Sequence, residues 1–203
     1  MHAVDRCSTY ATHEGIPLIV AILGWGSLIW DPRDLLRDGA WHMGGPVLPI
    51  EFSRVSSDCR LTLVIDPTNG VPVVTQYVRS LRTDLDNAIS DLRQREGTVT
   101  NRIGFVNLVN GKSRCGVAPS LVGKIRDWGE EHGFGGIVWT DLPSNFEGEI
   151  GSRFSVEGAT KYLVGLPRSA AERARQYINN APAEVDTPLR RNIQESGWLE
   201  LTP

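Results

Sequence analysis

The stretch that decides the fold is IVAILGWGSLIW, residues 19–30. Ile19 to Leu23 is a continuous apolar, partly β-branched run, the pattern of a strand buried on both faces. Gly24-Trp25-Gly26-Ser27 then breaks it. Two glycines around one aromatic permit a sharp turn and a close approach of backbone to a ligand. Ser27 adds a hydroxyl at the same place. Backbone opened in this way offers N–H groups to an anion or to a developing oxyanion. A tight turn with no ligand needs the same glycines, so the bend alone specifies no chemistry.

Composition narrows the classes around that strand. The chain has 203 residues, 40% hydrophobic and 22% charged, which is the range of a globular protein with a substantial core. The net charge is −3 and no stretch concentrates Lys and Arg, which argues against nucleic acid as a partner. Cys7, Cys59 and Cys115 are odd in number and far apart, as expected of reduced thiols in a cytoplasmic protein. His2, His13, His42 and His132 are scattered and form no HxxxH or HExxH pair, so no histidine metal site is expected. The apolar run over residues 16–23 is too short to span a bilayer and lacks the flanks of a signal peptide, so no membrane partner is expected either.

Working outward, residues 1–15 are polar and patternless and read as a loose arm. Residues 16–203 read as a single domain, with residues 119–203 as a partly helical extension, because no linker-like segment divides them. After the bend, residues 34–37 read as a short helical piece and residues 38–45 as loop. Residues 47–54, 59–66 and 71–79 read as strands, with the turn sequence Pro67-Thr68-Asn69-Gly70 between the last two. Residues 101–109 and 113–117 read as a hairpin about Asn110-Gly111, and residues 135–141 as a further strand. Helices are expected over residues 119–131, 155–166, 169–179 and 187–195, the last with Thr187 as N-cap and Pro188 in its first position.

The helix expected over residues 84–96, with Thr83 as N-cap and Gly97 as C-cap, carries the chemical signal. Leu85, Ile89 and Leu92 form its apolar stripe. At about 100° per residue, Glu96 lies roughly 20° from Leu85, at the centre of that stripe. Arg93 and Arg95 fall on other faces, so no cation is expected beside it. Burial and the partial negative charge of a helix C-terminus would then hold this carboxyl proton-hungry, as a general acid or base requires. The competing expectation is a glutamate paired to Arg102 or to another buried cation, or a helix end that frays and lets it reach solvent.

A strand entering Trp25-Gly26-Ser27-Leu28-Ile29-Trp30, hairpin-rich β structure, and a helix ending Arg95-Glu96 together resemble the γ-glutamylcyclotransferase-like superfamily, most of all its ChaC branch. The resemblance covers roughly residues 19–109. It departs in two places: Trp25 stands where the family usually has Tyr, which removes a hydroxyl, and the helical part after about Pro119 has no counterpart in the short members. The resemblance implies an α+β fold built on a small mixed β-barrel with surrounding helices. It implies that the α-amine of a small γ-glutamyl compound attacks its own γ-carbonyl and releases 5-oxoproline, with no cofactor. Glu96 would be the acid/base, and Gly24, Trp25, Gly26, Ser27 and Leu28 would bind the substrate. A homodimer is a possible assembly, and a non-catalytic γ-glutamyl-binding module of the same fold is the alternative. The leaving group stays open between glutathione and other γ-glutamyl compounds.

Other side chains carry weaker chemical signals. Ser27 has no GxSxG elbow or placed histidine to make it a nucleophile. Cys59 and Cys115 have no activating partner in view. Glu147 and Glu149 read as solvated loop acids, Trp139 as core, and Asn145 and Phe146 as candidates for a pocket wall.

Overall fold

The structure, a computed structural model, describes residues 17–200; the arm expected over residues 1–15 lies outside them. Its central strand is β1 (Val20–Gly24), buried along its whole length. β1 runs antiparallel to β6 (Gln76–Ser80) and parallel to β9 (Gly136–Thr140). Alternate residues serve two cores, as the pleat requires. Val20 and Ile22 join Leu85, Ala88, Ile89 and Leu92 of α1 (Leu85–Glu96). Ala21 and Leu23 join the second sheet and the C-terminal helices.

The first sheet has six strands in the order β2-β6-β1-β9-β7-β8, with β2 (Arg37–His42), β7 (Ile103–Asn107) and β8 (Ser113–Arg114). The second has three, β3 (Val47–Val55) between β4 (Leu61–Ile65) and β5 (Val71–Val74). The architecture is thus mixed α+β, with six α-helices among the described residues, and no closed barrel is found there. The remaining helices are α2 (Val122–Glu131), α3 (Phe146–Ile150), α4 (Val156–Val164), α5 (Arg168–Asn180) and α6 (Pro188–Glu195). Leu163, Ala174, Tyr177, Ile178, Leu189 and Ile193 of α4 to α6 share one core with Leu48, Ile50, Phe52 and Leu63 of the second sheet. The helical extension therefore completes that core. No helix among the described residues is long and apolar enough to cross a membrane.

Three local expectations are corrected. Residues 37–42, expected as the end of a helical piece and a loop, form β2 on the sheet edge. Its register shifts between Asp38 and His42, and Gly39 sits at φ 75°, so the bulged strand shows no apolar alternation to read. Residues 71–79 are two strands in different sheets, parted at buried Thr75, whose hydroxyl donates to the Pro46 carbonyl at 2.8 Å. The N-cap of α1 is Asp84, one residue later than expected, and its carboxylate accepts from the Asn87 amide at 2.8 Å. Gly97 does end α1, at φ 60°.

One buried acid lies outside all motifs. Glu51 on β3 is fully buried, its Oε1 accepting from the Phe52 amide at 2.7 Å and its Oε2 unpaired. Burial pushes its pKa up to about 7; nearby Asp66 adds to this, while the Thr187 hydroxyl and the Phe52 and Leu189 amides pull the other way. The unfolded chain releases this proton near pH 4.5 and the folded chain only near 7. Folded protein holds the extra proton between those values, so stability falls as pH rises through the window. The loss should total about 3 kcal/mol and level off above pH 7. Glu51→Gln should match wild type near pH 4.5, exceed it at pH 8, and flatten the slope; urea unfolding across pH 4.5 to 8 measures this.

Candidate active site

A cavity of about 420 Å³ opens where the bend after β1, the end of α1 and the β3–β4 hairpin meet. All six residues singled out in the sequence line it: Gly24, Trp25, Gly26, Ser27, Leu28 and Glu96. Residues 70 positions apart in the chain converge there because α1 lies against β9 and β7 of the first sheet, which brings its C-terminus to the end of β1.

Glu96 lines the cavity with its side chain 14% exposed, less deeply set than its neighbour Arg95, which the wheel had turned to another face, and it is not alone. Arg95, only 5% exposed, donates Nη1 to Glu96 Oε1 at 2.6 Å. The expectation of an uncompensated carboxylate is therefore corrected. The competing expectation, a buried cation, is the one found, with Arg95 in the place considered for Arg102. The helical wheel places Cβ atoms, whereas a guanidinium on a long stem reaches round the helix end to a neighbour. The same guanidinium donates to the Asp31 carbonyl through Nε at 3.2 Å and Nη2 at 2.5 Å, and Nη2 donates to Ser27 Oγ at 3.3 Å. Its desolvation is thus offset by four bonds, which also lock Glu96 to the bend. No described group donates to Glu96 Oε2.

The bend is held on its other side by the second sheet. Leu63 lies on β4, an edge strand, and both of its outward backbone groups are met by side chains. The Trp25 indole donates to the Leu63 carbonyl at 3.4 Å, and the Leu63 amide donates to the Tyr177 hydroxyl at 3.3 Å. A Cβ built on Gly26 would stand 3.0 Å from that hydroxyl, so glycine lets the bend pass against Tyr177. The Ser27 amide bears on the same oxygen. Burial raises the Tyr177 pKa, and the charge of Glu96 adds to the rise, so the phenol keeps its proton. With its oxygen accepting, that proton is the group Tyr177 has left to donate. The Gly26 and Leu28 amides donate to no backbone carbonyl of the described residues.

The other candidates fall outside this arrangement. Neither described histidine stands beside Ser27: His42 and His132 lie in an aromatic group with Tyr77 and Trp128. Burial, reinforced by Asp141, pushes the Cys115 thiol up to about 11, and Cys59 is an exposed thiol on the hairpin. Glu147 and Glu149 are exposed on α3, and Trp139 and Phe146 are core. Asn145 bridges to β3, its side-chain amide exchanging bonds with both backbone groups of Val55 at 2.7 and 2.9 Å. Among the described residues no group of three or more His, Cys, Asp or Glu side chains is placed to hold a metal ion.

Three lining residues had no signal in the sequence. Tyr177 sits on the apolar stripe of α5 beside Ala170, Ala174 and Ile178, where it reads as core. Arg54 and Arg60 flank a polar hairpin, Val55 to Cys59, and read as surface charges. Comparison of the chain with protein-family models, with curated proteins and with solved structures finds no match in any of the three.

Proposed function

We propose that this chain is a cytoplasmic γ-glutamylcyclotransferase, releasing 5-oxoproline from a small γ-glutamyl compound. The observation that carries the reading is the single guanidinium of Arg95 bonded to both Glu96 and Ser27, which puts a carboxylate and a glycine bend on one small cavity. In this reading the two sheets correspond to the barrel of γ-glutamylcyclotransferase-like proteins. The partner is a small molecule, and nucleic acid and membrane have no role.

The chemistry asks little beyond positioning, because nucleophile and electrophile belong to one substrate. Glu96 takes a proton from the α-ammonium through Oε2, the oxygen Arg95 leaves free. The freed amine attacks the γ-carbonyl carbon, and the carbonyl oxygen takes up negative charge. The Gly26 and Leu28 amides and the Tyr177 hydroxyl are the donors for that oxygen, each worth on the order of 3 kcal/mol. Collapse of the tetrahedral intermediate closes the lactam and breaks the γ-amide C–N bond; the proton on Glu96 goes to the departing nitrogen, and the second proton of the ring nitrogen passes to water. Arg95 keeps Glu96 oriented through both proton transfers.

Two variants test these roles. Glu96→Gln should reduce 5-oxoproline release by roughly 10²–10⁴-fold while substrate still binds. Chromatographic assay of 5-oxoproline, with calorimetric binding of the unreacted γ-glutamyl compound, separates the two effects. Unchanged turnover would remove Glu96 from the reaction, and binding without any release by wild type would favour the binding-module alternative. Tyr177→Phe keeps the ring contacts with Trp30 and Phe52 and removes only the hydroxyl. It should lower kcat on the order of 10²-fold with a much smaller change in KM. It should also lower stability by about 1–3 kcal/mol, because the Leu63 amide loses its acceptor.

A further inference from the structure

The cavity is lopsided in charge: its lining contains Arg33, Arg54, Arg60 and Arg95 against the single carboxylate of Glu96. Two of these guanidiniums are committed. Arg95 holds Glu96, and Arg33 bonds Asp31 and the Arg95 carbonyl at 3.3 and 3.1 Å. Arg60 is partly committed, pairing with Asp58 at 2.8 Å and lying over the Tyr177 ring at 5.2 Å.

Arg54 differs from all three. It is half-buried; among the described residues its side chain bonds only the neutral Pro143 carbonyl, from Nη1 at 2.9 Å, and no carboxylate lies within 4.0 Å of it. Burial and the like charge of Arg102 lower its pKa, and the charge of Glu149 opposes them more weakly. A half-buried cation without a counter-ion is costly, and an anion arriving in the cavity relieves that cost. The hairpin supplies further donors on the same wall. Arg54 pairs with Thr62 across β3 and β4, and both line the cavity with Ser57 and Arg60. Glu96 and the bend come from the first sheet and its helix, whereas this wall comes from the second sheet. A substrate whose reacting end lies at Glu96 meets the hairpin with its other end.

We infer that the β3–β4 hairpin wall, centred on Arg54 with Arg60 beside it, binds an oxyanion on the departing part of the substrate. Resting on the cyclotransferase reading, this makes the preferred substrates γ-glutamyl amino acids or peptides that end in a carboxylate. γ-Glutamyl amines, whose departing part is neutral, are the disfavoured class. The reaction that supplies the substrate is then one that joins the γ-carboxyl of glutamate to the amine of an amino acid or peptide.

The test compares γ-glutamylglycine with γ-glutamylethylamine, which lacks the second carboxylate, and with the γ-glutamyl amide of aminomethylphosphonate, which bears a phosphonate there. Wild type should release 5-oxoproline from the glycine compound with kcat/KM about 10- to 100-fold above the ethylamine compound, chiefly through KM; this is the scale of a charge-assisted hydrogen bond. A phosphonate as good as the carboxylate supports a general oxyanion subsite, and one no better than the ethylamine compound narrows the subsite to carboxylates. Arg54→Gln should collapse the preference towards unity and Arg54→Lys should restore part of it; Arg60→Gln should have the smaller effect. Equal wild-type rates for charged and neutral compounds would overturn the inference without needing any variant to fold. So would an Arg54→Gln that weakens both equally, since Arg54 would then hold the α-carboxylate that all of them share. If wild type releases 5-oxoproline from none of them and none from glutathione, the cyclotransferase reading fails. Calorimetric titration with the same compounds then decides the subsite alone: tighter binding of the charged ones supports it, and equal binding overturns it.

Discussion

The site depends on one buried guanidinium. Arg95 meets the carboxylate of its neighbour Glu96, the carbonyl of Asp31 and the hydroxyl of Ser27, with most of its surface out of water. A cation so placed is stable only with its partners in position, so the end of α1 and the bend after β1 hold each other. Take the guanidinium away and a half-buried carboxylate loses its counter-charge while two loop segments lose their shared donor. This one side chain ties the backbone break after the central strand to the acid at the helix end.

The second constraint acts across the cavity. An edge strand exposes backbone groups that must find partners. At Leu63 these partners are the indole of Trp25, from the first sheet's bend, and the phenol of Tyr177, from α5. The cavity is therefore closed by three parts of the chain at once, and the C-terminal helices contribute directly to its wall. Position 25, where the resemblance leads one to expect a hydroxyl, carries a tryptophan whose N–H is turned to the second sheet. The hydroxyl beside Gly26 is supplied from Tyr177. The two walls differ in character. One holds the acid and the bend, and the other holds cations, of which Arg54 has no carboxylate partner among the described residues.

What could be read in advance follows from which signals are local. The apolar run of β1, the stripe of Leu85, Ile89 and Leu92, the Gly97 cap and the Thr187-Pro188 start each depend on neighbours within a few residues, and each is found. β2 escaped because a bulged, exposed edge strand shows no period of two. The division at Thr75 escaped because a chain passing from one sheet to another keeps its β-rich composition throughout. Glu51 gave no hint of its burial, since a lone acid in an apolar-rich strand reads the same whichever face of the pleat is covered.

By itself, the sequence determined the elements: a two-faced strand broken by glycines, an amphipathic helix with an acid on its inner stripe, and the residue types at the bend. Those follow from periodicity and from the φ freedom of glycine, which are properties of short stretches. Only the tertiary structure decided the partners. It set Arg95 against Glu96, brought Tyr177 over 150 residues to the bend, and left Arg54 on the cavity wall without a carboxylate partner among the described residues. Charges and donors are matched by distance in space, and the packing of two sheets around one strand sets that distance.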